Sequence, residues 1–111
     1  MNIDELTFGQ IKQLTAAIGA VKPTDSSAWE IGKIYLIRTV TMIDTGRLVA
    51  VTDHELVIED AAWIADTGRF SDAVASATFG EVEPFPAGRV IIGRGSVIDA
   101  VQISLAPRSK K

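Results

Sequence analysis

The fold is decided by one stretch of sequence, residues 34–64, which reads IYLIRTVTMIDTGRLVAVTDHELVIEDAAWI. β-Branched and aromatic residues recur through it, and such residues favour strands. In chain order we predict a long, strongly bent strand over 34–43, a turn at Asp44-Thr45-Gly46, a strand over 47–52, a tight turn at 52–54 and a strand over 55–64. Because the connections are short, consecutive strands are expected to be antiparallel neighbours. The stretch therefore predicts a β meander.

Toward the C-terminus the pattern predicts a long connection and two more strands. Residues 66–85 form a loop of about twenty residues, and connections this long are usually functional or partly structured. The alanine-rich part from Ser71 to Ala77 is suited to a short helix with Ser71 as its cap. Strands are predicted over 89–92 and 97–105, separated by Gly93-Arg94-Gly95, and residues 106–111 are predicted to be a disordered basic tail.

Toward the N-terminus the pattern changes from strand to helix. Residues 1–20 predict an α-helix, with Thr7 as its N-cap and with Ile11, Leu14 and Ile18 on one face at helical spacing. Residues 21–28 contain proline, aspartate and serines and predict a linker. The chain thus divides into a helix, a linker and one β domain over 29–105.

Composition excludes several classes of protein. The 111 residues suffice for one domain with a modest core, and 47% of them are hydrophobic. No apolar run approaches the roughly 20 residues of a membrane-spanning helix, so no membrane partner is expected. The acidic N-terminus lacks the pattern of a signal peptide, and the absence of cysteine fits a reducing compartment. We therefore expect a cytoplasmic protein.

Charge is distributed unevenly along the chain. The formal net charge is −3, which gives no general attraction to nucleic acid. Between residues 53 and 72 six acidic residues stand against one arginine, whereas between 89 and 111 five basic residues stand against one aspartate. Complementary fields of this kind suit head-to-tail self-association as well as RNA binding. Of the two, we favour self-association.

Two segments resemble the motifs of a known family. Residues 46–61 read GRLVAVTDHELVIEDA, and residues 91–98 read IIGRGSVI. They resemble, in order, the first and second motifs of the Sm-like proteins, the group that includes Lsm proteins and Hfq, and the resemblance covers about 32–103. It implies a mainly β fold, an N-terminal α-helix followed by a five-stranded, strongly bent, SH3-like small barrel. It also implies a homo-oligomeric ring of about five to seven subunits, in which the last strand of each protomer pairs with the bent strand of its neighbour. A fainter resemblance of residues 59–69 to small phage and bacterial proteins implies no function.

The same resemblance implies a candidate RNA pocket at the 52–54 turn and the second motif. Its candidate residues are Asp53, His54, Glu55, Arg94, Gly95 and Ser96. When the motif is aligned backward from Ala61, the family's stacking histidine falls on Asp53 and its base-reading asparagine on Glu55. The carboxylates at these two positions repel phosphate, and Glu55 cannot donate a hydrogen bond to uracil. If the turn is instead aligned as one residue shorter than in the family, His54 takes the position of the histidine that stacks on the base. Arg94 matches the family's arginine, and its alternative partner is an acidic residue of the adjacent subunit.

A second resemblance points to a different class. Asp-Thr-Gly occurs at 44–46 and 66–68, and residues 91–94 look like the late motif of retroviral-type aspartic proteases. In such enzymes two aspartates share one proton. Both triplets here are followed by arginine, which favours two ionised carboxylates over a shared proton, and Asp-Thr-Gly is also a common turn sequence. His54 is the only histidine. No catalytic, metal or cofactor site is therefore predicted.

Together these observations predict a non-enzymatic, ring-forming binding or assembly module. The candidate interface residues are Trp63, Phe70, Ile98 and Val101. Trp63 is expected to act as an anchor, because tryptophan is enriched at the energetic centres of interfaces. RNA binding is the alternative function, and a retroviral-type aspartic protease is the remote alternative.

Overall fold

Strands predominate in the part of the chain that the computed structural model describes, residues 27–111. The elements, in chain order, are β1 (Ile34–Thr39), β2 (Ile43–Val51), β3 (Glu55–Asp66), α1 (Phe70–Ser76), β4 (Glu81–Pro84), β5 (Val90–Gly93) and β6 (Val97–Gln102), with a 3₁₀ turn at Arg94–Ser96. The helix predicted over 1–20 and most of the linker predicted over 21–28 lie outside the described residues.

All strand pairings are antiparallel, and the strands follow one another in space in the order β4-β3-β2-β1-β6. β5 lies beside the N-terminal part of β3, through the register Glu55↔Gly93 to Ile58↔Val90, on the same side of β3 as β4. Within residues 27–111 no pairing joins β5 to β6, so the sheet is open. The prediction of a mainly β chain is confirmed, but the prediction of a five-stranded, strongly bent small barrel is wrong, because six strands form an unclosed sheet.

The physical reason for this difference lies in two segments. The connection predicted over 66–85 contains α1 and a sixth strand, β4, which pairs with the C-terminal part of β3. The 3₁₀ turn at Arg94–Ser96 then separates the last two strands, so that β5 pairs with β3 and β6 pairs with β1. Hydrogen-bond partners far apart in sequence, rather than strand propensity, decided where these strands lie.

The first turn of the meander also differs from the prediction. The predicted long strand over 34–43 is interrupted at Thr39, whose hydroxyl accepts a hydrogen bond from Met42 N–H (2.9 Å) and donates one to Met42 O (3.0 Å). Asp44, Thr45 and Gly46, predicted to form the turn, lie inside β2. The β-branched residues before Met42 predict a continuous strand, but the hydrogen bonds of the Thr39 hydroxyl stabilise a turn there.

β2 and β3 are bent by two register shifts. One lies between Thr45 and Arg47, opposite Asp60, which has a positive φ of 52°. Extra residues of this kind kink a strand and increase its twist. Gly46 lies at this bend and permits a close approach, because a Cβ atom there would stand 2.7 Å from Ile58 Cδ1.

The two faces of the sheet both bury apolar side chains. On one face α1 covers a core through Ala73, and this helix-side core comprises Leu36, Ala62, Ile64, Ala73, Phe79, Val82 and Ile103. The bent half of the sheet buries a second set of side chains, namely Tyr35, Ile37, Leu48, Leu56, Ile58 and Ile92. The side chains that alternate with these sets are the ones available to partners.

The C-terminal residues, predicted to be a disordered tail, lie along β4. Lys111 and Val82 exchange two backbone hydrogen bonds of 2.9 Å each. The Arg108 guanidinium donates to Ala61 O (2.6 Å) and to Phe85 O (2.8 Å), so that it spans β3 and the end of β4. Part of the outer edge of β4 is therefore occupied by the chain itself. Across residues 27–111, no helix has both the length and the apolar character needed to cross a membrane.

Candidate functional site

The six candidate RNA-binding residues lie together at one corner of the sheet, here named the Arg94 corner and defined as residues 52–55 and 94–96. Thr52 shapes the turn, because its hydroxyl accepts hydrogen bonds from His54 N–H (3.3 Å) and Glu55 N–H (2.9 Å). Arg94 N–H donates to His54 O (2.9 Å). Ser96 Oγ donates to Gly93 O (2.7 Å), which stabilises the 3₁₀ turn.

The side chain of Arg94 has a partner within the chain. Its Nη1 donates to Thr52 O at 2.6 Å, and this charge-assisted bond ties the 3₁₀ turn to the end of β2. Asp53, His54 and Glu55 are exposed beside it, so two carboxylates flank the one histidine. The corner thus combines an arginine engaged in structure with acidic neighbours, an arrangement poorly suited to a phosphate backbone.

The four candidate interface residues do not form one surface. Val101 packs against the helix-side core. Phe70 begins α1 on that same side, and its ring lies under the Arg38 guanidinium at 4.9 Å from Cζ to the ring centroid. Trp63 points to the opposite face from its buried neighbours Ala62 and Ile64. Ile98 lies on β6, which is separated from β3 by β2 and β1, roughly 14 Å at ordinary strand spacing.

Two sheet edges are open. Ile103 N–H donates to Ile34 O (2.9 Å), so these two residues form a hydrogen-bonded pair. Opposed pairs of antiparallel strands alternate between hydrogen-bonded and non-hydrogen-bonded, and by this count Ala100 and Ile37 are a non-hydrogen-bonded pair. The N–H and C=O groups of Ala100 therefore point away from β1. Arg94 N–H donates to His54 O, so by the same alternation Ile91 and Val57 form a non-hydrogen-bonded pair. The backbone N–H and C=O groups of Ile91 therefore point away from β3. No backbone partner to Ala100 or Ile91 lies on these outer sides within residues 27–111.

Large apolar side chains accompany both open edges. Ile91 on β5 is 62% exposed and Ile98 on β6 is 66% exposed. Ile98 is the extra residue of a bulge, because Arg38 pairs with Asp99 and Thr39 with Val97. The sequence analysis named Ile98 as an interface candidate but not Ile91, because the strand partners that leave β5 at an edge are far away in the sequence.

A second feature, here named the Trp63 groove, lies near β4. It is a cavity of about 420 Å³ lined by Met42, Asp44, Trp63, Glu83, Pro84, Phe85 and Pro86. Asp44 is directly opposite Trp63, and Trp63 is directly opposite Glu83, so a carboxylate flanks the indole on each side. Met42 lies two residues before Asp44 and Phe85 two residues after Glu83, each just outside its strand, and both line the groove. Sequence reasoning identified only Trp63 as part of an interaction surface.

The two carboxylates of the groove have different surroundings. Asp44 is half-buried, and burial raises the pKa of its carboxyl above the ordinary value, with no ion pair or hydrogen bond countering the effect within the described chain. The side chain of Glu83 is half-exposed and meets Lys110 at 3.9 Å, and Lys110 itself is largely exposed. Long, exposed pairs of this kind contribute little energy. Both carboxylates are therefore available to a cation.

A neighbouring cleft has the opposite character, because its charges are paired inside the chain. It measures about 550 Å³ and its lining includes Glu59, Asp60, Arg89 and Arg108. Glu59 accepts hydrogen bonds from Arg89 (2.8 Å) and Arg47 (3.2 Å), and these bonds, the one from Arg89 first, hold the pKa of Glu59 below its ordinary value. Arg108 is bound to backbone carbonyls. Each of its four charged side chains therefore already has a partner within the chain.

The residues considered for catalysis do not assemble within the chain. Asp44 lies in β2 opposite Trp63, whereas Asp66 lies three residues farther along β3 and accepts a hydrogen bond from Gly68 N–H (2.8 Å). Arg47, expected to keep the Asp44 carboxylate ionised, instead pairs with Glu59 and Asp60. Within residues 27–111 no group of three or more histidine, aspartate or glutamate side chains is arranged to hold a metal ion.

Comparison of the chain with protein-family models, with curated proteins and with solved structures found no match. Function is therefore inferred from the open edges, the Arg94 corner and the Trp63 groove.

Proposed function

We propose that the chain is a non-enzymatic assembly module whose copies join head to tail, the open edge of β5 in one copy pairing with the open edge of β6 in the next. The observation that carries the proposal is the open sheet, with outward backbone groups and exposed isoleucines on both edges. Unpaired edges are sites of strand addition unless the protein protects them. A contact between two different edges repeats around a rotation axis and closes into a ring when the rotation permits.

Burial of the two isoleucines alone does not offset the entropy cost of association, so backbone hydrogen bonds between the strands must contribute as well. Ile91 and Ile98 are 62% and 66% exposed, so covering what remains of both side chains contributes roughly 2–4 kcal/mol in total. The loss of translational and rotational freedom costs about 4 kcal/mol at the least. Each new backbone hydrogen bond contributes about 1 kcal/mol. The strand pairing therefore decides whether copies associate, and the isoleucines add specificity and strength.

Native mass measured by light scattering tests the proposal. We expect the wild-type chain to have the mass of five to seven subunits. Ile98→Lys should lower the mass to that of one subunit, because a lysine on an edge prevents strand pairing. Ile31→Lys is the matched control, since Ile31 is also exposed but lies on neither edge, and it should leave the mass unchanged. A wild-type monomer at high protein concentration would refute the proposal.

RNA binding is the alternative, and the convergence of its six candidate residues at the Arg94 corner is the observation in its favour. It predicts affinity for U-rich or A-rich oligonucleotides that falls steeply with salt concentration and is lost in Arg94→Ala. The ultraviolet absorbance ratio of the purified protein provides a direct check. An oligomer that contains no nucleic acid favours the assembly module, whereas an oligomer that dissociates on nuclease treatment favours RNA binding.

A further inference from the structure

We propose that the Trp63 groove binds an arginine side chain presented by an apolar segment of a partner protein. The groove lies where β2, β3 and β4 are neighbours, and no residue of β5 or β6 lines it. The proposal therefore concerns a second surface and does not depend on the assembly proposed above.

The first step is the geometry of the row Asp44, Trp63 and Glu83. Directly opposed residues of antiparallel strands have Cβ atoms about 5 Å apart, so both carboxylates lie close to the indole. Trp63 is 41% exposed, an unusual state for the largest apolar side chain. A cation placed over the indole face would thus lie between two negative charges.

The second step concerns the kind of cation. The face of an indole ring attracts cations more strongly than those of the other aromatic side chains, and arginine is the commonest partner. A guanidinium is planar and carries five N–H donors, so it can stack on the ring while donating hydrogen bonds to carboxylates at its edges. A quaternary ammonium has no N–H donor and would leave Asp44 buried beside it without a hydrogen bond. The pair of carboxylates therefore favours arginine.

The third step concerns the source of the arginine. Met42, Pro84, Phe85 and Pro86 extend the groove with apolar surface beyond the reach of a guanidinium. Phe85 remains 37% exposed, which leaves ring surface for neighbouring side chains of the ligand. Free arginine would carry its charged backbone into this apolar part, whereas a peptide segment would place neutral amides and apolar side chains there. The lining thus favours arginine within a protein segment.

The experiment uses the full-length chain and capped tripeptides observed by NMR through the indole N–H signals. The probe is acetyl-Ile-Arg-Val-amide, and the comparison peptides replace arginine with citrulline, with lysine and with trimethyllysine. We expect the arginine peptide to shift the Trp63 signal in a saturable way and to leave the Trp29 signal unchanged. We expect the citrulline peptide, which keeps the shape but lacks the charge, to bind at least about tenfold more weakly.

Two variants test the residues of the groove. Trp63→Ala and Asp44→Asn should each weaken binding about tenfold or more. For Trp63→Ala, binding is followed through backbone amide signals of β4. Asp72→Asn is the matched control, because it removes an exposed carboxylate on α1 outside the groove. Asp44→Asn is expected to fold at least as well as the wild type, as argued below, so a loss of binding in that variant reports on recognition.

Four results would overturn the proposal. They are equal binding of the citrulline peptide, tighter binding of the trimethyllysine peptide, equal binding of free arginine amide, and no saturable shift at millimolar peptide. The same titration in Ile98→Lys separates this proposal from assembly. If Ile98→Lys binds the arginine peptide as the wild type does, the groove acts independently of assembly. If Ile98→Lys loses binding although its groove is intact, the peptide contacts an assembly interface, and the proposal is contradicted.

Discussion

At the scale of single residues, Asp44 shows how a side chain can reduce stability. Its carboxylate is half-buried between β1 and β3 beside an indole, and burial raises its pKa. An acid whose pKa is higher in the folded state binds its proton more tightly when folded. Its favourable contribution is therefore complete below the pKa of the unfolded state and is lost as the pH rises through the folded value.

Replacing this residue should therefore stabilise the protein at neutral pH. We expect Asp44→Asn to have a higher Tm than the wild type at pH 7, because the substitution removes a half-buried charge without an ion-pair partner. The difference should shrink as the pH falls and disappear below the ordinary carboxyl range, near pH 4. Thermal unfolding between pH 3 and 7 measures this, with Asp72→Asn as the charge control. A lower Tm for Asp44→Asn at pH 7 would show that the carboxylate has a stabilising partner.

At the scale of elements, the C-terminal segment is held to the sheet by one side chain that contacts two strands. Arg108 donates to the carbonyl of Ala61, beside the bend of β3, and to that of Phe85, just after β4. Lys111 then pairs with Val82. Sequence composition at 106–111 is typical of a solvated tail. The bonds from Arg108 to two backbone carbonyls and those between Lys111 and Val82 account for its position on the sheet.

We expect Arg108→Lys to release this segment although it keeps the charge. A lysine ammonium cannot reproduce the forked geometry with which a guanidinium reaches two carbonyl groups. Loss of a charge-assisted hydrogen bond should raise amide hydrogen exchange at Val82 and Lys111 by about tenfold or more. Lys110→Ala is the matched control, since Lys110 makes only the long contact to Glu83. Unchanged exchange in Arg108→Lys would mean that other contacts hold the segment.

At the scale of the whole molecule, the open sheet gives the chain two different edges. A head-to-tail contact uses both, whereas a contact between two copies of the same edge uses only one. The two arrangements are distinguished by blocking one edge at a time.

We expect Ile91→Lys and Ile98→Lys to be monomeric when each is alone, and to form a heterodimer when mixed. In the mixture the intact β6 edge of the first variant pairs with the intact β5 edge of the second, and both remaining edges are blocked. Light scattering of the separate and mixed samples measures this. If either variant alone still forms a dimer, copies associate through identical edges and the head-to-tail contact is incorrect.

The sequence by itself determined the class of structure and its local elements. Strand-forming residues and short connections predicted the antiparallel meander of β1, β2 and β3, and the turn at 52–54 was also identified. A short helix was predicted over 71–77 with Ser71 as its cap, but α1 begins at Phe70 after Arg69, without a side-chain cap. These features depend on residues close together in the chain, so their signals are local. The grouping of residues 53–55 with 94–96 came from a family resemblance, and the structure places them at one corner.

Only the tertiary structure decided where the sheet ends and which side chains share a surface. The pairing of β4 with β3, the separation of β5 from β6, and the row formed by Asp44, Trp63 and Glu83 depend on partners 15 or more positions apart in the sequence. A one-residue change of register would turn each of these side chains to the other face. Register is set by hydrogen bonds and packing between distant segments, and neither can be derived from the residues of one strand.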